Sequence, residues 1–222
     1  VKHKEIRLSN TQEHIIVITQ EQKEYAIRFH GHFCPGLAIG LRAADWALEH
    51  LGRAQDEDIV VITETDMCGV DAIQALVGCT FGKGNLIFHD YGKTAFSFYC
   101  RKSGRSARLV LNPSLSRKPD DERTRLQQKA SAGELLPEEE KRLDELRRMQ
   151  AEQMLSIPLE QLFLIGDVRE PLPQRARIQG TLRCECCGEG VMESRIHFLD
   201  GKQVCIPCLE ARKNPSGLKE EI

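Results

Sequence analysis

The sequence predicts an α+β fold, in which helices pack on an antiparallel or mixed sheet and a small cysteine-rich domain follows. Two amphipathic helical patterns come first, and four strand-like runs come after them, an order typical of α+β rather than alternating βαβ proteins. Two C-x-x-C pairs lie near the end of the sequence. The chain has 222 residues, 41% hydrophobic and 29% charged, which is enough for one sizeable core and a smaller module.

Two helices are predicted in the first fifty residues. Residues 10–29 carry capping and helix-forming signals, and Gly31 is a natural stop. A second helix is predicted to begin at Pro35, because proline suits the first turn of a helix, where no N–H is needed. Leucines and alanines then recur at helical spacing as far as Gly52.

The middle of the predicted core is mainly β. The β-branched run DIVVITET (58–65) has the length of a buried strand, and VDAIQALVG (70–78) indicates a short helix. Three strand-like runs follow, at 85–92, 94–100 and 106–112. Their close spacing predicts an antiparallel meander.

The composition changes after Pro113, where a long charged segment begins. Leucines and methionines recur in it at helical spacing, and Pro137 with three glutamates suits a helix start. This segment is interpreted as a solvated helical connector or as a helix that packs on a partner subunit. The predicted divisions are an α+β core over 1–113, a helical connector over 114–172 and a cysteine-rich domain over 173–222.

Charge and hydropathy argue against membrane and nucleic-acid partners. The formal net charge is −2 and the sequence pI is about 6.4, so no general attraction to nucleic acid or anionic lipid is expected. The longest apolar runs, such as IIVI, have four residues, whereas a membrane span needs roughly 20. No signal-peptide pattern begins the sequence. We therefore expect a cytoplasmic protein, in which nine cysteines indicate metal or thiol chemistry rather than disulfides.

The C-terminal cysteines have the spacing of a four-cysteine zinc site. Cys184-x-x-Cys187 and Cys205-x-x-Cys208 are separated by 17 residues, and a hairpin with a DG turn lies between them. A knuckle, a hairpin and a short helix that carries the second pair follow the order of a treble-clef finger. Cys186 is an alternative to Cys187 as ligand, but the C-x-x-C-G pattern favours Cys187.

The predicted role of this zinc is structural. A segment of about 35 residues cannot build an adequate core, so the metal would supply its folding free energy, on the order of 10–16 kcal/mol. The protein would fill all four coordination positions, which leaves none open for a substrate.

A second candidate site lies in RFHGHFCPGL, which begins at Arg28. Cys34 stands at the predicted start of a helix, where free N–H groups and the helix dipole stabilise a thiolate. His32 is two residues away, so Cys34 and His32 are the candidate catalytic residues. His30 is a weaker candidate, since it is also suited to capping the preceding helix.

Two further cysteines stand at the ends of predicted elements. Cys68 follows the buried strand, and Cys79 follows the short helix, ahead of a glycine-rich loop; such positions let side chains face a ligand. The four residues expected to line one cleft are His32, Cys34, Cys68 and Cys79. At its centre we expect a second divalent metal or an activated thiolate, with Asp66 or Asp71 holding the other ring nitrogen of His32. The alternative is that these residues only pack.

Three motifs resemble one known family. FHGHFCPGLAIGLRAA, ETDMCGVDAIQALVGCTFGKGNLIFHDYGKTAF and the two terminal C-x-x-C pairs are similar to FmdE, a component of formylmethanofuran dehydrogenase. The resemblance covers Tyr25 to about Pro113 densely and resumes at the terminal cysteines. It implies an α+β core with an auxiliary treble-clef finger, commonly as an intertwined homodimer. It also implies that His32, Cys34, Cys68 and Cys79 occupy the characteristic site positions of the family.

The resemblance implies a role around a redox enzyme. The namesake belongs to a molybdenum or tungsten enzyme that reduces carbon dioxide onto methanofuran in methanogenesis. This sequence has no assignable pattern for molybdopterin or for a ferredoxin-type cluster. We therefore expect an accessory protein, or an oxidoreductase subunit, with a redox-enzyme partner. The alternatives are a zinc-finger protein that binds a protein or nucleic-acid partner, and a free-standing enzyme on a one-carbon substrate.

Overall fold

The structure, a computed structural model, describes residues 4–5, 18–115, 122–175 and 178–213. The described residues form two compact units, divided after residue 175. The helices of the first unit are α1 (Gln20–His30), α2 (Pro35–His50), α3 (Gly69–Ala72), α4 (Glu122–Ser131), α5 (Pro137–Ser156) and α6 (Leu159–Leu162). Its strands are β1 (Lys4–Glu5), β2 (Ile59–Thr63), β3 (Leu86–Phe88), β4 (Ala95–Cys100), β5 (Arg105–Leu111) and β6 (Phe163–Gly166).

The second unit is small and built from two hairpins and a helix. Its elements are β7 (Thr181–Arg183), β8 (Gly190–Met192), β9 (His197–Leu199), β10 (Lys202–Val204) and α7 (Ile206–Lys213). β7 pairs with β8 and β9 pairs with β10, both antiparallel. This is the predicted order of knuckle, hairpin and helix.

The first unit contains a mixed sheet with the strand order β1-β5-β4-β2-β3, and β6 also pairs with β5. The predicted antiparallel meander is correct for β4 and β5 but wrong for β3, which pairs with β2 in parallel. The reason lies in β2, which is buried along its whole length. A fully buried strand takes a partner on each edge, so β2 separates β3 from β4.

Helix α2 forms the centre of the core. Nearly all of its side chains from Leu37 to Ala47 are buried, and Trp46 is fully so. The inward-facing side of the sheet packs in the same cluster, with alternate residues of β2 and β4 such as Val61 and Phe98. The fold class predicted from the sequence is confirmed.

Within the described residues, helix α1 begins at Gln20, whereas the sequence predicted a helix from residue 10. Thr19 caps it, and its hydroxyl accepts the Gln22 N–H at 3.2 Å while the Gln22 side chain accepts the Thr19 N–H at 2.8 Å. The predicted earlier part of this helix, residues 10–17, lies outside the described residues. The predicted stop is confirmed, because Gly31 has a left-handed backbone with φ of 96°.

The charged segment after residue 113 is part of the first unit rather than a connector between units. Leu143 and Ala151 of α5 are buried, and Ala151 packs in the same core cluster as α2. β6 adds a strand to the sheet through pairs such as Leu109 with Ile165. The predicted boundary at residue 113 is therefore corrected: a narrow apolar stripe on α5 is sufficient for packing although the segment as a whole is strongly charged. No helix of the described ranges is long and apolar enough to cross a membrane.

The other face of the sheet carries a buried ion pair beneath a short chain segment. Arg108 donates to the two carboxylate oxygens of Glu64 at 2.6 and 2.8 Å, and both residues are buried. Residues 167–173, here called the strap, cross this face. The Tyr99 hydroxyl donates to the carbonyl of Glu170 at 3.0 Å. The strap therefore covers polar as well as apolar groups of the sheet.

Replacing Glu64 by glutamine should lower the free energy of unfolding by about 3 kcal/mol at pH 7, because Arg108 would keep a buried, uncompensated charge. The hydrogen bonds from Arg108 hold the pKa of Glu64 below its usual value. The carboxylate therefore stabilises the folded state above the unfolded-state pKa of about 4.3. The difference between wild type and variant should shrink as the pH falls from there toward the lowered pKa.

Urea titrations at a series of pH values measure this difference. Glu122→Gln is the matched control, because the Glu122–Arg142 ion pair is exposed and should contribute little. A wild-type advantage that stays constant or grows on acidification would contradict the assignment.

Candidate metal centres

The four predicted finger cysteines lie together in the second unit. The ligand atoms of Cys184, Cys187, Cys205 and Cys208 are all within 4.8 Å of one another. Cys184 precedes the turn between β7 and β8, and Cys208 lies in the first turn of α7. The structure therefore brings a knuckle pair and a helix pair to one point, as the spacing predicted.

The distances suit a tetrahedral zinc site. The Sγ atoms of Cys187 and Cys205 are 3.9 Å apart, and sulfur atoms of a tetrahedral site with Zn–S bonds near 2.3 Å are about 3.8 Å apart. Cys184 and Cys205 are buried, and Cys187 is exposed. Cys186 is also exposed, but it is not part of the group.

The protonation of these thiols also favours a cation. Backbone N–H groups of Cys187 and Cys205 lower the pKa of Cys184 to about 6, and the Cys205 N–H lies 3.3 Å from the Cys184 sulfur. The neighbouring Cys205 thiol raises the pKa of Cys208. The lowered pKa of Cys184 favours its thiolate form, while a metal ion is needed to hold four thiolates together.

A second group of metal-ligand side chains lies in the first unit. The ligand atoms of His30, His32, Cys34 and Cys68 are all within 4.8 Å of one another. The three residues of the HGHFC motif come from the end of α1, the following turn and the N-cap of α2, and Cys68 immediately precedes α3. As predicted, Cys34 stands at a helix N-terminus, where its sulfur accepts the Leu37 N–H at 3.4 Å.

His30 is held in an orientation suitable for a ligand. Its Nδ1 lies 2.7 Å from Oδ2 of Asp71, and the Gln74 side-chain amide donates to the other Asp71 oxygen at 3.2 Å. A carboxylate partner fixes the proton on Nδ1 and leaves the Nε2 lone pair free. That Nε2 is buried and has no hydrogen-bond partner within the described structure. A buried polar atom without a partner is costly, and a metal ion would satisfy it.

Close contact between two helices brings the cysteines together. A Cβ atom on Gly40 would lie 2.1 Å from the carbonyl oxygen of Gly69, and one on Gly36 would lie 3.2 Å from Cβ of Cys68. Only glycine allows α2 and α3 to approach this closely. The approach places Cys68 beside the N-terminus of α2, which carries Cys34.

The pKa shifts of two of these residues, Cys68 and His32, favour their neutral forms. Burial raises the pKa of Cys68 to about 11, and the adjacent Cys34 adds to the rise. Burial also lowers the pKa of His32, with a further contribution from His30. A neutral imidazole can coordinate directly, whereas each thiol must lose its proton to bind a metal.

The cleft predicted around four residues requires two corrections. Cys79 is outside the group: its side chain is fully buried in the core, and its thiol donates to the carbonyl of Ile59 at 3.5 Å. Its position after the short helix directs it under β2, and burial raises its pKa to about 12. His30 belongs to the group instead, because Gly31 rather than a histidine side chain ends α1.

The prediction that a carboxylate contacts His32 names the wrong histidine. Asp71 contacts His30 rather than His32, and Asp66 is not part of the metal-ligand group found among the described residues. Gln74 was not identified from the sequence. Its spacing of three residues from Asp71 on a predicted helix was the available signal. The spacing of Gly36 and Gly40, on one face of a helix, was the corresponding signal for close helix approach.

The fold and the sites together define a two-unit protein, with an α+β core that carries a His/Cys cluster and a four-cysteine zinc finger. Residues 29–164 match the family described as FmdE, molybdenum formylmethanofuran dehydrogenase operon. Residues 177–213 match the prokaryotic dksA/traR C4-type zinc finger. Because the first match spans more than half of the chain, the protein belongs to the FmdE family.

Two similar proteins support this placement. A probable S-adenosyl-L-methionine-binding protein from Archaeoglobus fulgidus is 37% identical over 191 residues, which are 82% of this chain and 51% of that protein. The chain thus spans about half the length of this curated relative. The crystal structure of a tungsten formylmethanofuran dehydrogenase FmdE-like protein from Syntrophus aciditrophicus is 23% identical, with a TM-score of 0.55 over 90% of this chain and 97% of that one. This second likeness shows the fold.

Proposed function

We propose that this FmdE-family protein binds a second metal ion in its core and acts as an accessory protein of a redox enzyme. The proposed ligands are His30, His32, Cys34 and Cys68. The zinc of the finger would hold the second unit together, and the core metal would provide the chemistry. The observation that carries the proposal is the buried Nε2 atom of His30, which has no described partner although Asp71 and Gln74 fix the ring.

The donor set indicates the kind of metal. Two imidazole nitrogens and two sulfurs suit borderline metals such as zinc or iron rather than magnesium or calcium. A metal of this kind would supply Lewis acidity or, in the case of iron, a redox centre. Cys34 is buried but His32 is exposed, so the His32 side of the group is the side that a substrate or partner can reach.

Family membership supports the redox role. The description of the family refers to the formylmethanofuran dehydrogenase operon, and the similar solved structure is named for a component of that enzyme. S-adenosyl-L-methionine binding is not part of the proposed function, because about half of the Archaeoglobus fulgidus relative lies outside the match. We also propose that the protein forms a homodimer and acts with a redox-enzyme partner.

Elemental analysis of the purified full chain should find two metal ions per chain. Cys68→Ser should lose one of them and keep the finger zinc, and Cys205→Ser should lose the other and keep the core metal. Asp71→Asn should lower the affinity for the core metal by about 10- to 100-fold, because it removes the group that orients His30. Competition with a calibrated chelator measures that affinity.

Cys79→Ser is the matched control, because Cys79 lies near the site in sequence but outside it in space. This variant should keep both metals. A wild-type chain with a single metal, or a Cys68→Ser variant with unchanged metal content, would refute the core site while leaving the finger unaffected.

A second function, as an interaction protein, is favoured by one observation on the finger. Phe198 and Met192 are 73% and 62% exposed, and apolar side chains of this size on a small unit suit contact with a partner protein. The described part of the finger has five basic and five acidic residues, so its net charge gives no general attraction to nucleic acid.

A further inference from the structure

A small polar pocket opens on the face of the sheet opposite the helices of the first unit. It has a volume of about 60 Å³. The lining residues are Ile62, Glu64, Tyr91, Lys93, Ser97, Tyr99, Arg169 and Glu170. The floor comes from β2 and β4, and one wall comes from the strap. We propose that this pocket binds a small oxyanion, either a short carboxylate or an inorganic ion such as phosphate.

The floor of the pocket provides an unused hydrogen-bond donor. Ser97 is only 4% exposed, and its hydroxyl makes no hydrogen bond with the residues that the structure describes. It faces the pocket because alternate residues of β4 point to opposite faces of the sheet, and Phe96 and Phe98 point into the core. Since Ser97 lines the pocket, its hydroxyl can donate to a ligand or to water there.

Two cations at the mouth of the pocket lack a counter-ion. Lys93 and Arg169 are exposed, and neither makes an ion pair with any described residue. The Lys93 backbone is fixed by a 2.9 Å hydrogen bond to the carbonyl of Glu64, and its Nζ lies 6.0 Å from the centre of the Tyr91 ring. Both cations line the same pocket, and both help to lower the pKa of Glu64.

The two acidic residues of the lining make their side-chain hydrogen bonds to other residues. Glu64 already receives two hydrogen bonds from Arg108, and Glu170 lies 3.1 Å from Nδ1 of His89. Each carboxylate therefore has its own partner. Neither Lys93 nor Arg169 makes an ion pair with these carboxylates, so the N–H groups of both side chains can donate to an anion, and cationic donors make the strongest hydrogen bonds to oxyanions.

The size of the pocket limits the ligand. A volume of about 60 Å³ is far below the 300–1,000 Å³ or so of pockets for drug-sized molecules. It holds a few waters, or a ligand of about five heavy atoms. Phosphate and short carboxylates such as formate meet this limit, whereas nucleotides and cofactors do not.

Isothermal titration of the zinc-loaded full chain tests the proposal, with sodium phosphate and sodium formate as separate probes at constant ionic strength. At least one of them should bind saturably with one site per chain, and the two arms distinguish an inorganic oxyanion from a carboxylate. Lys93→Met and Arg169→Met should each weaken that binding by about tenfold, because each removes a charged hydrogen-bond donor. Ser97→Ala should weaken it by about threefold or more, because it removes a neutral donor.

Lys102→Met is the matched control, because it removes one positive charge from an exposed lysine paired with Asp58. It should bind the probe as wild type does. Cys34→Ser should also bind normally, since the pocket does not depend on the core metal.

Three results would overturn the assignment. They are no saturable binding of either probe, an equal loss in Lys102→Met and Lys93→Met, or binding that is lost in Cys34→Ser but kept when both Lys93 and Arg169 are replaced. The last result would place the anion on the core metal instead.

Discussion

Replacing Cys205 by serine should remove the zinc from the finger and unfold the second unit. The described part of that unit has a buried cluster formed chiefly by Cys184, Val204 and Cys205, which is too small to stabilise it. The zinc–thiolate bonds therefore provide most of its folding free energy, on the order of 10–16 kcal/mol. Loss of one ligand of four should leave the second unit unfolded at room temperature.

The measurement combines metal analysis with amide hydrogen exchange. Exchange in residues 178–213 should lose its protection in Cys205→Ser, while α2 and the sheet of the first unit stay protected. Cys186→Ser is the matched control: the side chain is exposed and outside the ligand group, so zinc and protection should be retained. A fully zinc-loaded and protected Cys205→Ser would show that the ligand set is wrong.

Replacing Gly40 by alanine should destabilise the first unit by about 3 kcal/mol or more, because overpacking of a rigid contact has a cost of this order. The new Cβ would lie 2.1 Å from the backbone oxygen of Gly69, and backbone atoms cannot move aside as a flexible side chain can. α3 would have to shift away from α2. Since Cys68 immediately precedes α3, this variant should also lose the proposed core metal.

A graded series makes this prediction sharper. Gly36→Ala meets Cys68 at 3.2 Å, so its effect should be smaller than that of Gly40→Ala. Gly82→Ala has open space around the new Cβ and should lie within about 0.5 kcal/mol of wild type. Thermal and urea unfolding give the order. Equal stabilities of Gly40→Ala and Gly82→Ala would contradict the close approach of the two helices.

Local sequence patterns were sufficient for the finger. Cys184, Cys187, Cys205 and Cys208 were predicted by spacing alone, because short knuckles place ligands by local geometry. The helix that begins at Pro35 was also predicted from a local pattern. The proline, with its fixed φ, marks the start of the helix, and the apolar repeat marks its buried face.

The arrangement of the sheet could not be predicted in the same way. The parallel pairing of β3 with β2 depends on which strand needs two neighbours, and this is a property of the whole core. Residues 114–172 were interpreted as a connector because charge dominates their composition. The few apolar side chains that pack α5 on α2 decide where this segment lies, and the average composition of the segment does not show them.

The candidate core site could be predicted from the sequence in part. Cys34 and Cys68 were identified because each stands at the end of an element, and His32 because it lies two residues from Cys34. Cys79 satisfied the same rule, yet its side chain faces Ile59, since the direction of a side chain at a helix end depends on the tertiary contacts. The reverse holds for His30: the sequence made it a weaker candidate than His32, but in the structure it lies in the group and contacts Asp71.

The pairing of β5 with β6 has a consequence for synthesis on the ribosome. The residues of β6 follow the end of β5 by some 50 positions, from Leu111 to Phe163. At about 5–20 residues per second, the nascent chain waits roughly 3 to 10 s before the outer edge of β5 can gain this partner. An unpaired strand edge is a template for pairing with other chains. This interval is therefore when a chaperone or a second nascent chain has access to the unfinished sheet.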